Sequence, residues 1–178
     1  MANYRAMGWQ CQFLFVQNVD AAEVARRLGG TLTGRSVDFE DATSGHWLTV
    51  GPSIDSWVLI ADPDWQLIHD AYSTELSRGT RLLRLVVGET VMFAEAAMWE
   101  DGVERWAISS YDDNKPPQLT VRGRVPAELL DGEPDEDGPY FDVPMDAVHR
   151  LTGFRYDIPD SRVDDARYWH IAVVSARP

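Results

Sequence analysis

Four consecutive segments with a two-residue hydrophobic alternation dominate the middle of the chain, between residues 80 and 125. This alternation places successive side chains on opposite faces of a strand, so each segment predicts a β-strand. Gly88 and the dipeptide Asp101–Gly102 separate the first three segments, and such short turns join antiparallel neighbours. The run therefore predicts a fold built around an antiparallel sheet. The segments are TRLLRLVVG (80–88), TVMFAEAAMWE (90–100), ERWAISSYD (104–112) and QLTVRGRV (118–125).

The rest of the chain adds helices and further strands to this sheet. In the longest helical segment, Asp62 is the expected N-cap and Pro63 the first helical residue. Trp65, Ile68, Tyr72 and Leu76 follow at helical spacing and form its expected buried face. Helices are predicted over residues 20–30, 62–79 and 142–153, strands over 9–17, 56–62 and 169–174, and a loop over 33–45.

These elements define the expected fold class and domain organisation. We expect an α+β fold with a largely antiparallel β-sheet and two to three helices packed on one face. The length fits one domain over residues 1–178, with an acidic loop at about 131–142.

The formal net charge of −13, from 29 acidic and 16 basic residues, limits the classes of partner. Nucleic acid and anionic membrane surfaces are disfavoured, because binding to phosphates requires clustered Lys and Arg. A basic protein is a compatible partner, since complementary charge steers association. The sequence has no signal-peptide pattern and no apolar run near the roughly 20 residues that span a bilayer, so we expect a cytoplasmic protein.

Residue patterns for catalysis and metal binding are missing from the sequence. Cys11 is the only cysteine, and no G-x-S-x-G elbow is present. The histidines show no metal-ligand spacing: His46, His69, His149 and His170. We therefore predict no catalytic residue, no metal and no cofactor, and we favour a binding role over an enzymatic one.

Two sets of residues are candidates for a functional site. Carboxylates beside the hairpin turn and in the acidic loop predict a partner-binding surface: Glu100, Asp101, Asp135, Glu136 and Asp137. A second set predicts a ligand pocket between sheet and helices: Trp57, Glu95, Trp99 and Trp106. Within this set, Trp99 and Trp106 flank the Asp101–Gly102 turn and are expected to form a cross-strand pair that stabilises the hairpin.

Three longer stretches suggest a family. They are ELSRGTRLLRLVVGETVMFAEAAMWEDGVERWAISS, LTVRGRVPAELL and FDVPMDAVHRLTGFRYD, in this order between residues 75 and 157. Together they resemble a group of small bacterial proteins of immunity-like type, which combine a W-x-D-G hairpin, a v-x-G-x-x-P segment and a late D-V-P…LTG-F-R helix. Tyr156 stands where that group more often has His, so no titrating or metal-binding role carries over, and the resemblance supplies no catalytic residue.

The resemblance implies a cytosolic immunity or antitoxin-like protein, which neutralises a protein partner such as a basic toxin through an acidic, aromatic-containing surface. The alternative expectation is a small-molecule-binding protein or small enzyme of specialised metabolism, with its pocket between sheet and helices.

Overall fold

The computed structural model describes residues 9–111, 118–131 and 140–173, and these form one large antiparallel sheet with short helices. Nine strands in the described part of the chain pair in the order β2-β9-β3-β4-β1-β5-β6-β7-β8, and every neighbouring pair is antiparallel. The strands are β1 (Gln10–Gln17), β2 (Gly30–Val37), β3 (Thr49–Ile54), β4 (Trp57–Asp62), β5 (Arg81–Gly88), β6 (Phe93–Glu100), β7 (Val103–Tyr111), β8 (Gln118–Gly123) and β9 (Tyr168–Val173).

The predicted α+β class and antiparallel sheet are confirmed, and β5 to β8 follow the four alternating segments in sequence order. The described helices are α1 (Ala21–Arg27), α2 (Phe39–Ser44), α3 (Asp70–Leu76), α4 (Asp142–Thr152) and α5 (Ser161–Asp164). None of them is long and apolar enough to cross a membrane.

The central strand β1 is buried on both sides, and this gives the molecule two apolar cores. Phe13 and Phe15 point to the first face of the sheet, while Leu14 and Val16 point to the second face. Helices α2, α4 and α5 pack on the first face, whereas α1 and α3 pack on the second. The expectation of two to three helices on one face is therefore wrong. Apolar runs such as that of β4 are buried on both sides and require cover on both faces of the sheet.

The helix predicted over residues 62–79 is much shorter than expected. It begins at Asp70, because Trp65 has a left-handed backbone (φ +53°) that interrupts any helix starting at Asp62. Asp62 remains the last residue of β4, and its buried carboxylate accepts hydrogen bonds from the N–H groups of Gln66 (2.9 Å) and Leu67 (2.8 Å). The cap signal at Asp62 thus belongs to a turn rather than to a helix. The residues expected to form a loop at 33–45 instead contain the end of β2 and all of α2.

The hairpin between β6 and β7 turns at Asp101–Gly102 as predicted, with positive φ angles of 51° and 78°. Beyond the turn, Trp99 pairs with Glu104 but Met98 pairs with Trp106, so Arg105 is an extra residue in a β-bulge. A regular ladder would place both tryptophans on the second face, but the bulge moves Trp106 to the first face while Trp99 stays on the second. The predicted cross-strand pair of Trp99 and Trp106 is therefore wrong.

Candidate functional site

The two turn carboxylates predicted to bind a partner make contacts within the protein. Glu100 Oε1 accepts a hydrogen bond from Arg81 Nε at 2.9 Å, and Glu100 Oε2 lies 3.3 Å from Arg105 Nε. The hydrogen bond and charge of Arg81, with a smaller contribution from Arg105, hold the pKa of Glu100 below its ordinary value. Asp101 Oδ1 accepts from Gly79 N–H at 3.0 Å and ties the turn to the α3–β5 loop. Asp135, Glu136 and Asp137 lie outside the described residues.

The four residues expected to line one pocket lie on opposite faces of the sheet. Trp57 and Trp106 are buried in the first-face core, while Trp99 is buried in the second-face core. Glu95 lies on the same face as Trp99, two residues before it on β6. The sheet separates the two pairs, so these residues do not meet in a common cleft.

Glu95 belongs to an alternating row of charges on the second face, which we call the ion-pair ladder. Arg84 donates to Asp70 Oδ1 at 3.1 Å and to Glu95 Oε1 at 3.0 Å. Arg122 lies 3.4 Å from Glu95 Oε2 and 3.3 Å from Glu104 Oε2. The Arg84 and Glu95 side chains are only 6% and 14% exposed, so this pair is the buried centre of the ladder. Both oxygens of Glu95 are engaged, and the carboxylate is held as a structural partner of two arginines.

Tyr156 also makes contacts within the protein. It is the residue at which the immunity-like bacterial proteins named above more often have His. Its ring stacks on Trp9 with centroids 4.6 Å apart, and its hydroxyl donates to Glu89 Oε1 at 3.0 Å. Burial, followed by the charge of Glu89, raises the pKa of the Tyr156 phenol.

A different group of side chains forms an exposed aromatic cluster at the β2-β9-β3 end of the sheet. Trp47, just before β3, is 51% exposed and stacks on His170 of β9 with ring centroids 5.1 Å apart and planes 17° apart. The Arg35 guanidinium of β2 lies 5.8 Å from the centre of the Trp47 ring, within range of a cation–π contact. His170 stacks on the indole, and about half of the surface of Trp47 stays exposed to solvent.

Two short acidic helices, α2 and α5, lie at this end of the sheet and pack against each other. A Cβ added at Gly45, which ends α2, would lie 3.3 Å from the Trp47 ring, so the end of α2 adjoins the indole, and α2 carries the exposed residues Glu40 and Asp41. None of Glu40, Asp41, Asp164 and Asp165 forms an ion pair with a described residue. We call Trp47 and these four carboxylates the Trp47 surface. Residues 35–47 and 160–170 carry six carboxylates (Asp38, Glu40, Asp41, Asp160, Asp164, Asp165) against three arginines (Arg35, Arg162, Arg167).

His170 beneath Trp47 gives the protein a testable pH dependence. It is 5% exposed, its Nε2 has no hydrogen-bond partner among the described residues, and burial followed by the charge of Arg35 lowers its pKa below 6.5. As the pH falls from about 6.5 toward this lower pKa, the unfolded chain binds the proton first, so the free energy of unfolding falls. We expect His170→Gln to flatten this part of the profile, as measured by urea denaturation between pH 5 and 7. The same slope in the variant and in the wild type would contradict this assignment.

No pattern in the sequence predicts the Trp47 surface. Trp47, His170 and Arg35 lie on or beside β3, β9 and β2, and β9 is far from the other two strands in the chain, so only the order β2-β9-β3 brings them together. The one local signal is a tryptophan two residues after the glycine that ends α2. Comparison of the chain with protein-family models, curated proteins and solved structures finds no match.

Proposed function

We propose that this protein binds a basic protein partner through the Trp47 surface and neutralises it in the manner of an immunity protein or antitoxin. The observation that carries the proposal is a half-exposed indole, held by a stack on His170 and placed at the end of the acidic helix α2. Tryptophan is enriched among the residues that dominate binding energy at interfaces. A side chain already held in place loses little conformational freedom on binding, so more of its contact energy contributes to affinity.

The carboxylates supply the second part of the proposed recognition. Glu40, Asp41 and Asp165 are exposed and lack ion-pair partners among the described residues, so their charge is available to an incoming cation. Asp164 is also exposed, but its Oδ2 accepts a hydrogen bond from the Asp160 N–H at 2.9 Å. Such charges accelerate encounter with a basic partner and disfavour acidic competitors. The mechanism is occlusion of the partner's active site and requires no chemistry from this chain. The resemblance to immunity-like bacterial proteins supports the same class of function.

Where a gene for a basic protein lies beside this one, its product is the partner to test, and surface plasmon resonance measures its binding. We expect Trp47→Ala to weaken binding by about thirtyfold, the loss typical of a central interface residue. Trp169→Ala is the matched control, because Trp169 is 40% exposed on the neighbouring strand but points to the second face. Equal losses in both variants, or no loss in either, would exclude the Trp47 surface as the contact.

The charge component is tested separately with Glu40→Gln/Asp41→Gln. We expect a slower association rate and a weaker dependence of that rate on salt, with little change in dissociation. An unchanged association rate would show that the carboxylates of α2 do not steer the partner.

A further inference from the structure

A groove lies where the β6–β7 hairpin contacts the body of the protein. It has a volume of about 640 Å³ and is lined by the β1–α1 loop, the end of α1, the α3–β5 loop and the hairpin. Its charged side chains are Arg27, Arg81, Arg105, Glu100 and Asp101. We call it the arginine groove. Its volume falls within the range of roughly 300–1,000 Å³ that is usual for small-molecule sites.

The groove is less acidic than the molecule as a whole. The chain has 29 acidic and 16 basic residues, yet the groove brings together three arginines and two carboxylates. Arg27 Nε pairs with Glu23 Oε1 at 2.8 Å, and Asp101 Oδ1 accepts from the Gly79 N–H, so Arg81 and Arg105 share the carboxylate of Glu100. Two guanidinium groups that share one carboxylate favour an anionic ligand at this place.

Specific features of the fold bring the arginines together. Arg27, the last residue of α1, is fixed by hydrogen bonds from its Nη1 to the carbonyl oxygens of Leu76 (2.8 Å) and Arg78 (2.9 Å). Arg81 is the first residue of β5 and lies opposite Glu100 in the β5–β6 register. Arg105 is the extra residue of the β7 bulge, which directs its side chain toward the turn.

Glu100 shows how the groove holds a carboxylate. Each of its two oxygens meets the Nε of a different arginine, at 2.9 Å for Arg81 and 3.3 Å for Arg105. The terminal nitrogens of these two arginines make no hydrogen bond to a described residue. Each guanidinium therefore has a free edge of two donors, the arrangement that binds carboxylate and phosphate oxygens in pairs.

We propose that the arginine groove binds a small organic phosphate or carboxylate through the terminal nitrogens of Arg81 and Arg105, with Glu100 as an internal competitor. The bound oxyanion lies beside Glu100 and receives two hydrogen bonds from each guanidinium, and Arg27, which pairs with Glu23, borders the site. This site is separate from the Trp47 surface and is tested without any protein partner.

The test is a calorimetric titration of the full chain at low ionic strength, with pyrophosphate as the phosphate probe and citrate as the carboxylate probe. Glu100→Gln removes the competing charge, so we expect it to strengthen binding by about tenfold. A gain of binding cannot arise from misfolding. Arg81→Gln and Arg105→Gln are each expected to weaken binding by about tenfold, since each removes one charged donor.

Arg78→Gln is the matched control, because Arg78 lies outside the groove and pairs with Glu75 at 3.0 Å. It should bind the probes within about twofold of the wild type. Saturable binding of either probe with this pattern supports the site, and the preferred probe identifies the oxyanion. No saturable binding by the wild type and by Glu100→Gln, or an equal loss in Arg78→Gln, overturns the proposal.

Discussion

Glu95→Leu is expected to lower the free energy of unfolding by about 3 kcal/mol, because it leaves the buried Arg84 guanidinium without its closest buried countercharge. Arg84 then keeps only Asp70, whose side chain is mostly exposed, and weaker contacts to Ser73 Oγ and the carbonyl of Ile68. Arg84 Nε already lacks a hydrogen-bond partner among the described residues, so little other compensation is present. Urea denaturation monitored by tryptophan fluorescence measures the effect.

A double variant separates the cost of an unpaired charge from the value of the pair. Arg84→Leu/Glu95→Leu should return to within about 1 kcal/mol of the wild type, since apolar residues can replace a buried ion pair without loss. Glu104→Leu is the control: it breaks the exposed end of the ladder and should cost less than about 1 kcal/mol. Equal losses for Glu95→Leu and Glu104→Leu would mean that burial does not set the value of these pairs.

The arrangement of β5 to β8 could be predicted from the sequence because its determinants are local. Alternation with period two lies within each strand, and the Asp101–Gly102 turn joins β6 to β7, so these local signals predict the strands and the antiparallel pairing of that hairpin. The prediction of a helix over 62–79 was wrong because the structure there depends on contacts that are not local in the chain. Its cap residues satisfied a local rule, but Asp62 is buried at the end of β4 and uses its carboxylate to close a turn. The burial of Asp62 in the folded protein therefore determines that it caps a turn rather than a helix.

The candidate sites depended on longer-range information. The sequence pointed to Glu95, Glu100 and Asp101 as unusual carboxylates, and each of them has arginine or backbone partners that are distant in the chain. The Trp47 surface depends on β2, β9 and β3 becoming neighbours, and no spacing in the chain indicates this. The faces of Trp99 and Trp106 depend on one extra residue in β7, which the alternation of that strand alone does not reveal.

The bulge at Arg105 requires a glycine on the adjacent strand. Gly123 of β8 lies opposite Trp106 and has a left-handed backbone (φ +69°), and a Cβ added there would overlap the carbonyl oxygen of Arg105. The atoms that the new Cβ would meet belong to the backbone of β7, so neither strand can move aside without breaking the β7–β8 ladder. Gly123 is thus the residue that permits the bulge, which in turn places Trp106 on the first face and Arg105 in the arginine groove.

We therefore expect Gly123→Ala to lower the free energy of unfolding by about 3 kcal/mol, from the left-handed backbone and the clash together. Gly34→Ala is the matched control, because Gly34 has φ +78° but open space around its Cα, and it should lose only about 1 kcal/mol. Urea denaturation of the two variants gives the difference, which isolates the contact with Arg105. Equal losses would show that Gly123 is needed for its φ angle alone. A larger loss at Gly123 would show that β8 holds the bulge in place, and the pyrophosphate affinity of any folded Gly123→Ala protein should then fall as well.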